Sequence, residues 1–557
     1  MDSLWFHVAA LATLWALLNG TAPDKAPRLR FVAVACLEAY VLRYYIWRAT
    51  ETLPSFDCSL ATAWQWLFFV FESLATLFLC WTALILTRTR DNRSLADTRE
   101  GELRGKPVVP KVTVLIPTYH EPLEVLQGTI RAAMRIDYPN FEVIVLDDDK
   151  GRVHTDLPDL CSRFGARYLH RADSEGAKAG NLNYGLSRSD GEVLLVLDAD
   201  FHPKPEILWR TVGLLDDKTA LVQTPQHYYS PDPIQHNLGG GRAWTEEQRF
   251  FFDVAIPARE AWGNAICVGT SFVVSRAALG PRGFEVDCLS EDVYGGYALV
   301  SRGWRVRYLN ECLSYGAAAD SVVEYIRQRV RWCQGIIQAV GLPYGPLHAP
   351  NLSLIDRLLY LEMPLYWISQ YGLLALMVVA PAVYFWTGVP VFESTFDEAE
   401  AHVVPRIMAS ALVTYWLSGG KVMPIVTDVA KLVSTPAIIK AMLTLLWNPK
   451  GKPFEATNKG QSRSSVIVHW SIMWPFLLAA GLTAAGLVRN LLSDGPVMWN
   501  EFLAANVLLA CYSLALLFLA CVACVDRPKA ALAFDYGQPL QGRWLRALAV
   551  LFGPWRP

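Results

Sequence analysis

Three short motifs place carboxylates, a guanidinium and an indole at spacings that suit group transfer. The run Leu195-Val196-Leu197-Asp198-Ala199-Asp200 ends an apolar stretch on two aspartates two residues apart, so at a strand end both can point to one side. Hard oxygen donors of this kind suit Mg²⁺ or Mn²⁺, which share their coordination with substrate phosphates and water. In isolation the same pattern is also a solvated turn. Ser290-Glu291-Asp292 offers in Asp292 either a base for an acceptor hydroxyl or a surface acid. In Gln328-Arg329-Val330-Arg331-Trp332, Arg331 can make bidentate phosphate contacts that a lysine cannot. The Trp332 indole suits a sugar face, although a lone tryptophan equally reads as core or as a membrane-interface anchor.

These motifs need a scaffold. Residues 112–116, 143–146, 166–169 and 193–197 read as strands, and 122–135 and 178–188 as helices between them. Apolar strands alternating with helices predict a Rossmann-like α/β domain with a mostly parallel sheet covered on both faces. Ligands bind such sheets beyond the carboxyl ends of the strands. Those ends carry the polar signals Pro117-Thr118-Tyr119-His120-Glu121, Asp147-Asp148-Asp149 and Asp198-Ala199-Asp200. In a nucleotide-sugar site Asp147 and Asp148 would accept hydrogen bonds from base and ribose; the alternative is a turn at Asp149-Lys150-Gly151. Lys178-Ala179-Gly180-Asn181 puts a cation at a helix start, which suits a diphosphate, while Asn181 also reads as a helix cap.

The composition sets this domain in a membrane. Over 557 residues, 53% are apolar and 18% charged, and the mean hydropathy is positive. A net charge of −2 without a basic-aromatic surface pattern excludes a nucleic-acid partner. Eleven cysteines scatter through apolar runs and form no disulfide framework; Cys521 and Cys524, despite their redox-motif spacing, read as buried packing. The start Met1-Asp2-Ser3 predicts no removable signal peptide. Apolar runs of spanning length fall near 4–20, 29–48, 62–87, 366–388, 405–424, 466–488 and 500–525. Glu38 and Arg43 interrupt the second, which reads as lateral packing within a bundle. Basic segments alternate with acidic ones between these runs, with Arg88, Arg90, Arg93, Arg104 and Lys106 after the third and Lys431, Lys440, Lys450 and Lys452 after the fifth. By the positive-inside rule this predicts seven spans, an external N-terminus and an internal C-terminus. Residues 1–90 are then an N-terminal membrane block of three helices, 107–350 a cytosolic domain with interface helices, 351–525 a second block of four, and 526–557 a short cytosolic tail. The tail's Arg543, Trp544, Arg546, Trp555 and Arg556 suit a membrane surface or a disordered end alike.

Taken together, the motifs resemble processive family 2 glycosyltransferases, in particular the catalytic subunit of bacterial cellulose synthase, over residues 112–460. The resemblance implies a GT-A-type cytosolic domain inserted in an α-helical transmembrane bundle. It implies that Thr118, Tyr119, Glu121, Asp147, Asp148 and Lys178 hold UDP, and that Asp198 and Asp200 hold the metal, with Asp198 also at the donor. Asp292 would be the base, and Gln328, Arg331 and Trp332 would frame acceptor and diphosphate. Gln223-Thr224-Pro225 and Tyr228-Tyr229-Ser230-Pro231-Asp232-Pro233 resemble the channel entrance, and Gly269-Thr270 the loop facing the acceptor sugar. Phe454-Glu455-Ala456-Thr457-Asn458-Lys459-Gly460, within 450–463, resembles the gating loop that closes over UDP, through Phe454, Thr457 and Lys459.

The chain departs from the family's pattern in several places. Ala456 stands where that loop usually has Val, His120 where the first motif usually has Asn, and Val268 where Cys is common, with Cys267 one place earlier. Three N-terminal spans rather than four, and a chain that ends soon after its last run, predict no cyclic-di-GMP-binding barrel. The same seven-span layout resembles curdlan synthase.

The expected function is polymerisation of glucose from UDP-glucose into a β-glucan, β-1,4 or β-1,3, with export across the inner membrane. The nascent chain and the bilayer are the expected partners, and a periplasmic or inner-membrane accessory subunit is one that the resemblance allows. The rival readings are a synthase of the hyaluronan or chitin type, a single-transfer membrane glycosyltransferase, and a non-enzymatic channel. The last leaves the polar strand tips without a role.

Overall fold

The computed structural model describes residues 4–148, 151, 155–171, 173–240, 246–422, 424–448, 463–492 and 501–529. Three helices open the chain: α1 (Leu4–Leu18), α2 (Pro27–Glu51) and α3 (Leu60–Ile85). The central domain follows, built on strands β1 (Val112–Thr118), β2 (Phe141–Asp147), β3 (Arg167–His170), β4 (Val193–Val196), β5 (Thr219–Gln223), β6 (Phe272–Ser275) and β7 (Arg305–Tyr308). Three of its helices bear on function: α4 (Ala177–Leu186), α5 (Glu291–Ser301) and α6 (Val322–Gly341). Five more complete the bundle: α7 (Leu354–Thr387), α8 (Phe396–Leu417), α9 (Pro424–Trp447), α10 (Trp470–Leu492) and α11 (Glu501–Ala523).

The sheet order is β3-β2-β1-β4-β6-β5-β7. Every pairing is parallel except the two made by β6, which runs against β4 and β5. Alternation along β1 sends Val112, Val114 and Ile116 to one apolar core and Leu115 to the other, so both faces are covered, as uninterrupted apolar strands require. The four expected strands are present within two residues of their expected ends. The three on the far side, β5 to β7, were not foreseen; they are short and carry little alternation. The reversal of β6 matters for function. It brings the start of that strand, and Gly269-Thr270-Ser271 before it, to the edge where the parallel strands end. Ser271 N–H donates to the Val196 carbonyl at 2.8 Å, and the Asp198 amide lies 2.8 Å from Thr270 Oγ1.

Among the described residues, five helices are long and apolar enough to cross a membrane: Leu60–Ile85, Leu354–Thr387, Ile425–Trp447, Trp470–Leu492 and Leu503–Ala523. Four of them match expected runs. The expected run at 405–424 is not one helix: α8 ends at Leu417, and Gly419 and Gly420 take positive φ of 59° and 75°. The segment after it, whose Lys431 and Lys440 counted as loop charges, is the helix α9. The charge count that gave seven spans therefore changes at this point. Helix α1 is short at 15 residues, and α2 carries charges that the bundle uses. Arg48 pairs with Glu72 of α3 at 2.9 Å, and Arg43 Nη1 donates to the Ala401 carbonyl of α8 at 2.8 Å, which is the lateral packing expected for this run. The cysteines are free, and Cys524 is buried. Beyond residue 529 the tail lies outside the described residues, as does 449–462 with Phe454, Thr457 and Lys459.

Helix α6 belongs to both units. Ser321 caps it by accepting from the Glu324 amide at 3.2 Å. One side packs on α5 and the other on α7 and α9. Its first turn is tied to the end of α11, because buried Asp526 accepts from the Val322 amide at 3.3 Å and from Asn237 Nδ2 at 2.9 Å. Asp526 also faces His469, just before α10, at 2.8 Å.

Candidate active site

A single cavity of about 770 Å³ opens over the strand tips and continues between the bundle helices. Thr118, Tyr119, Glu121, Asp148, Lys178, Asp198, Asp200, Asp292, Gln328, Arg331 and Trp332 all line it. The structure thus brings together all but one of the expected site residues that it describes. The exception is Asp147, which is 3% exposed and accepts from the Tyr168 hydroxyl at 2.6 Å, off the cavity wall.

At the tip of β1, Glu121 folds back on the turn that follows, accepting from Thr118 Oγ1 at 2.7 Å and from the Tyr119 amide at 2.8 Å. This leaves the Tyr119 ring stacked on His120 and 37% exposed. Asp148 is gripped by both arms of Arg171, at 2.5 and 2.8 Å. Burial raises the Asp148 carboxyl above its ordinary range, and Arg171 opposes that shift. Sequence reasoning missed Arg171, which stands one residue past the end of β3. Arg171→Ala strands a buried carboxylate, and we expect it to lower unfolding stability by about 3–5 kcal/mol. A denaturant titration checks this, with the loss shrinking as the pH falls and Asp148 takes up a proton. Asn181 caps nothing: its Nδ2 donates to the Leu146 carbonyl at 2.8 Å and pins α4 to β2.

At the centre, Lys178 from the first turn of α4 pairs with Asp198 and donates to the Gly269 carbonyl at 2.6 Å. Burial works to lower the Lys178 pKa, but Asp198, Glu291 and Asp292 outweigh it and the ammonium is held above its usual range. Asp200 is buried and accepts from the Ala317 amide at 3.1 Å. No group of three or more His, Cys, Asp or Glu that could hold a metal occurs among the described residues. Two hard carboxylates suit Mg²⁺ or Mn²⁺ only if a diphosphate and water complete the coordination.

Across the cavity, Glu291 and Asp292 occupy the first turn of α5. Asp292 Oδ1 accepts from the Val293 amide at 2.8 Å. Burial raises Asp292, against the pull of Lys178, the Val293 amide and Arg331. Gly269 has φ of +87°, and a Cβ there would stand 2.7 Å from Asp292 Oδ2, so only glycine lets this loop pass so close to that carboxylate. Gln223 sets the loop by accepting from the Val268 amide at 2.9 Å and donating to the Thr270 carbonyl at 2.7 Å. Gln226 donates to the Val268 carbonyl at 2.6 Å. On α6, Gln328, Arg331 and Trp332 share one face by their spacing. Gly335 follows on that face, where a Cβ would come within 2.1 Å of Ser290 Oγ, so α5 and α6 meet without an intervening side chain.

Past Trp332 the cavity wall changes to Phe250, Phe251, Tyr366, Trp367 and Tyr371, with Lys421 and Lys431 beside them. Tyr366, Trp367 and Tyr371 carried no separate signal, because inside a spanning segment an aromatic that faces a passage reads like one that faces lipid. Phe251 opens a π-helical turn, Phe251–Ala255, a distortion that often marks functional positions.

Carboxylate-bearing tips on a parallel-dominated sheet, opening into a helical bundle, define the class: a GT-A-type glycosyltransferase joined to membrane helices. Residues 110–335 match the family described as glycosyltransferase like family 2. The cellulose synthase catalytic subunit (UDP-forming) of Pseudomonas fluorescens (strain SBW25) is 30% identical over 514 residues, covering 91% of this chain and 68% of the relative. A putative cellulose synthase 2 of Komagataeibacter xylinus is 28% identical over 467 residues, 82% of this chain but 30% of the relative, so this chain spans less than a third of that protein's length. A solved mannosyltransferase from Pyrobaculum calidifontis, in complex with GDP-Man and Mn²⁺, is 18% identical with a TM-score of 0.44, covering 69% of this chain and 99% of that one. The chain belongs to the processive, cellulose synthase-like family 2 glycosyltransferases.

Proposed function

We propose that the protein transfers glucose from UDP-glucose to the non-reducing end of a growing β-glucan and passes the polymer through its bundle to the far side of the membrane. The observation that carries this reading is the single cavity shared by the Asp198–Asp200 pair, Asp292, Trp332 and the aromatic residues of the bundle. A donor held at the strand tips and a chain end lying on Trp332 would meet at Asp292. Asp292 takes the proton of the acceptor hydroxyl, whose oxygen attacks the anomeric carbon as the bond to the diphosphate breaks, and inversion leaves a β linkage. Arg331 and Lys178 put positive charge where the diphosphate leaves. Thr118, Tyr119, Glu121 and Asp148 border the nucleotide end. Asp198 and Asp200 would hold Mg²⁺ or Mn²⁺, which when bound neutralises charge on the diphosphate.

The aromatic wall suits sugar faces sliding past, and it favours processive synthesis over a single transfer. Helix α9 packs along α6, and its Lys431 lines the same cavity. We place the catalytic domain in the cytosol and the protein in the inner membrane, with the N-terminus outside.

Lipid-reconstituted protein supplied with UDP-glucose and Mg²⁺ or Mn²⁺ is expected to make a long polymer that β-1,4- or β-1,3-glucanase digests to glucose. Short glycolipid products would overturn processivity, and resistance to both glucanases would overturn the glucan assignment. The enzyme that digests the product assigns the linkage.

A further inference from the structure

Behind the base lies a second cavity, of about 40 Å³. Lys178, Gly269, Glu291 and Asp292 line both cavities, so the first turn of α5 forms part of the partition between them. The small cavity is bounded elsewhere by apolar residues such as Leu182 and Leu299 and by the ion pair of Glu285 with Arg302, whose side chains are 14% and 22% exposed. Its volume admits more than one water molecule, with carboxylates and a guanidinium as partners.

The transfer releases one proton per sugar, and Asp292 must lose it before the next cycle. While a donor and a chain end fill the large cavity, water cannot carry that proton away on that side. We propose that Glu291 is the second proton carrier: it takes the proton from Asp292 and releases it to water in the small cavity, away from the sugar path. The proposal rests on the reading of Asp292 as the base. In balance, the acceptor O–H bond breaks as the new O–C bond forms, and the C–O bond to the diphosphate breaks with its electron pair leaving on UDP. The proton passes from Asp292 to Glu291 to water, and both carboxylates return to their ionised forms.

The surroundings of Glu291 fit this task better than a structural one. Other carboxylates of the domain interior are anchored: Asp148 by Arg171, Glu260 by Arg305 and Glu247 by Arg329. Among the described residues, no side chain lies within hydrogen-bonding or ion-pairing distance of the Glu291 carboxylate. The ionisable groups around it are Asp292 on its own helix, Lys178 of α4, Arg331 of α6 and, on the small cavity, Cys267, Glu285 and Arg302. Burial and the charge of Asp292 raise Glu291, while Lys178 and Arg331 oppose. Lys178 and Arg331 favour the ionised form of both carboxylates, while Asp292 also accepts from the Val293 amide at 2.8 Å.

Glu291→Gln in lipid-reconstituted protein tests this. In rapid-quench measurement of UDP release, the first turnover is expected within about twofold of wild type while the steady-state rate falls about tenfold or more. The wild-type rate should rise with pH through the neutral range as Glu291 ionises; that rise should vanish in Glu291→Gln and return in Glu291→Asp. An unchanged steady-state rate and pH profile would overturn the proposal. Equal slowing of first turnover and steady state would overturn it as well, and would make Glu291 a positioning residue. Asp292→Asn separates the two readings, since a wild-type first turnover in that variant would remove the base assignment itself.

Discussion

Asp292→Asn is expected to cut glucose incorporation about 10²- to 10⁴-fold while leaving UDP-glucose binding within a few-fold of wild type. The substitution keeps the shape of the side chain and removes its charge and its ability to take a proton. The neighbouring geometry should survive: Gly269 leaves the carboxylate position open, and the Val293 amide can donate to an asparagine oxygen as it does to Asp292 Oδ1. Labelled-sugar incorporation in proteoliposomes, paired with a UDP-binding titration, separates chemistry from binding. Wild-type incorporation by Asp292→Asn would end the assignment of this residue as the base.

Asp198→Ala is expected to lower incorporation at least about 10²-fold, through loss of the diphosphate site rather than loss of fold. The carboxylate is about one-third exposed to the cavity, and the Lys178 ammonium that pairs with it keeps the Gly269 carbonyl. Chelating divalent ions in the wild type should have the same effect, reversed by Mn²⁺ or Mg²⁺. The decisive comparison is UDP affinity with and without chelator, which should change in the wild type and stay constant in Asp198→Ala. A chelator effect of equal size in both would place the ion elsewhere.

The strand-tip side of the cavity was legible in the sequence because it is written at strand ends. Apolar runs fix where β1, β2 and β4 stop, and the polar residue after each stop can only face the ligand edge. The side formed by Gly269, α5 and α6 is assembled across greater distance. Gly269 reaches Asp292 only because β6 runs backwards, and nothing in Phe272-Val273-Val274-Ser275 marks its direction. Asp147 misled because two adjacent aspartates at one strand end look alike, whereas the pleat turns Asp147 to Tyr168 and Asp148 to the cavity and Arg171. In the bundle, hydropathy located the cores of α3, α7, α10 and α11. It joined the end of α8 to the glycines that follow, since a window of apolar residues does not register the positive φ of Gly419 and Gly420.

The sharing of α6 between domain and bundle has a consequence for how the protein is made. Translation delivers β1 to β7 and α6 first and α7 to α11 afterwards. The surfaces that seat α6 on its outer side, including the Asp526 tether, therefore exist only once the last helices have emerged and entered the bilayer. A nascent chain would carry the strand tips with α6 still unseated, so the cavity they share would be completed only by the last helices to be made.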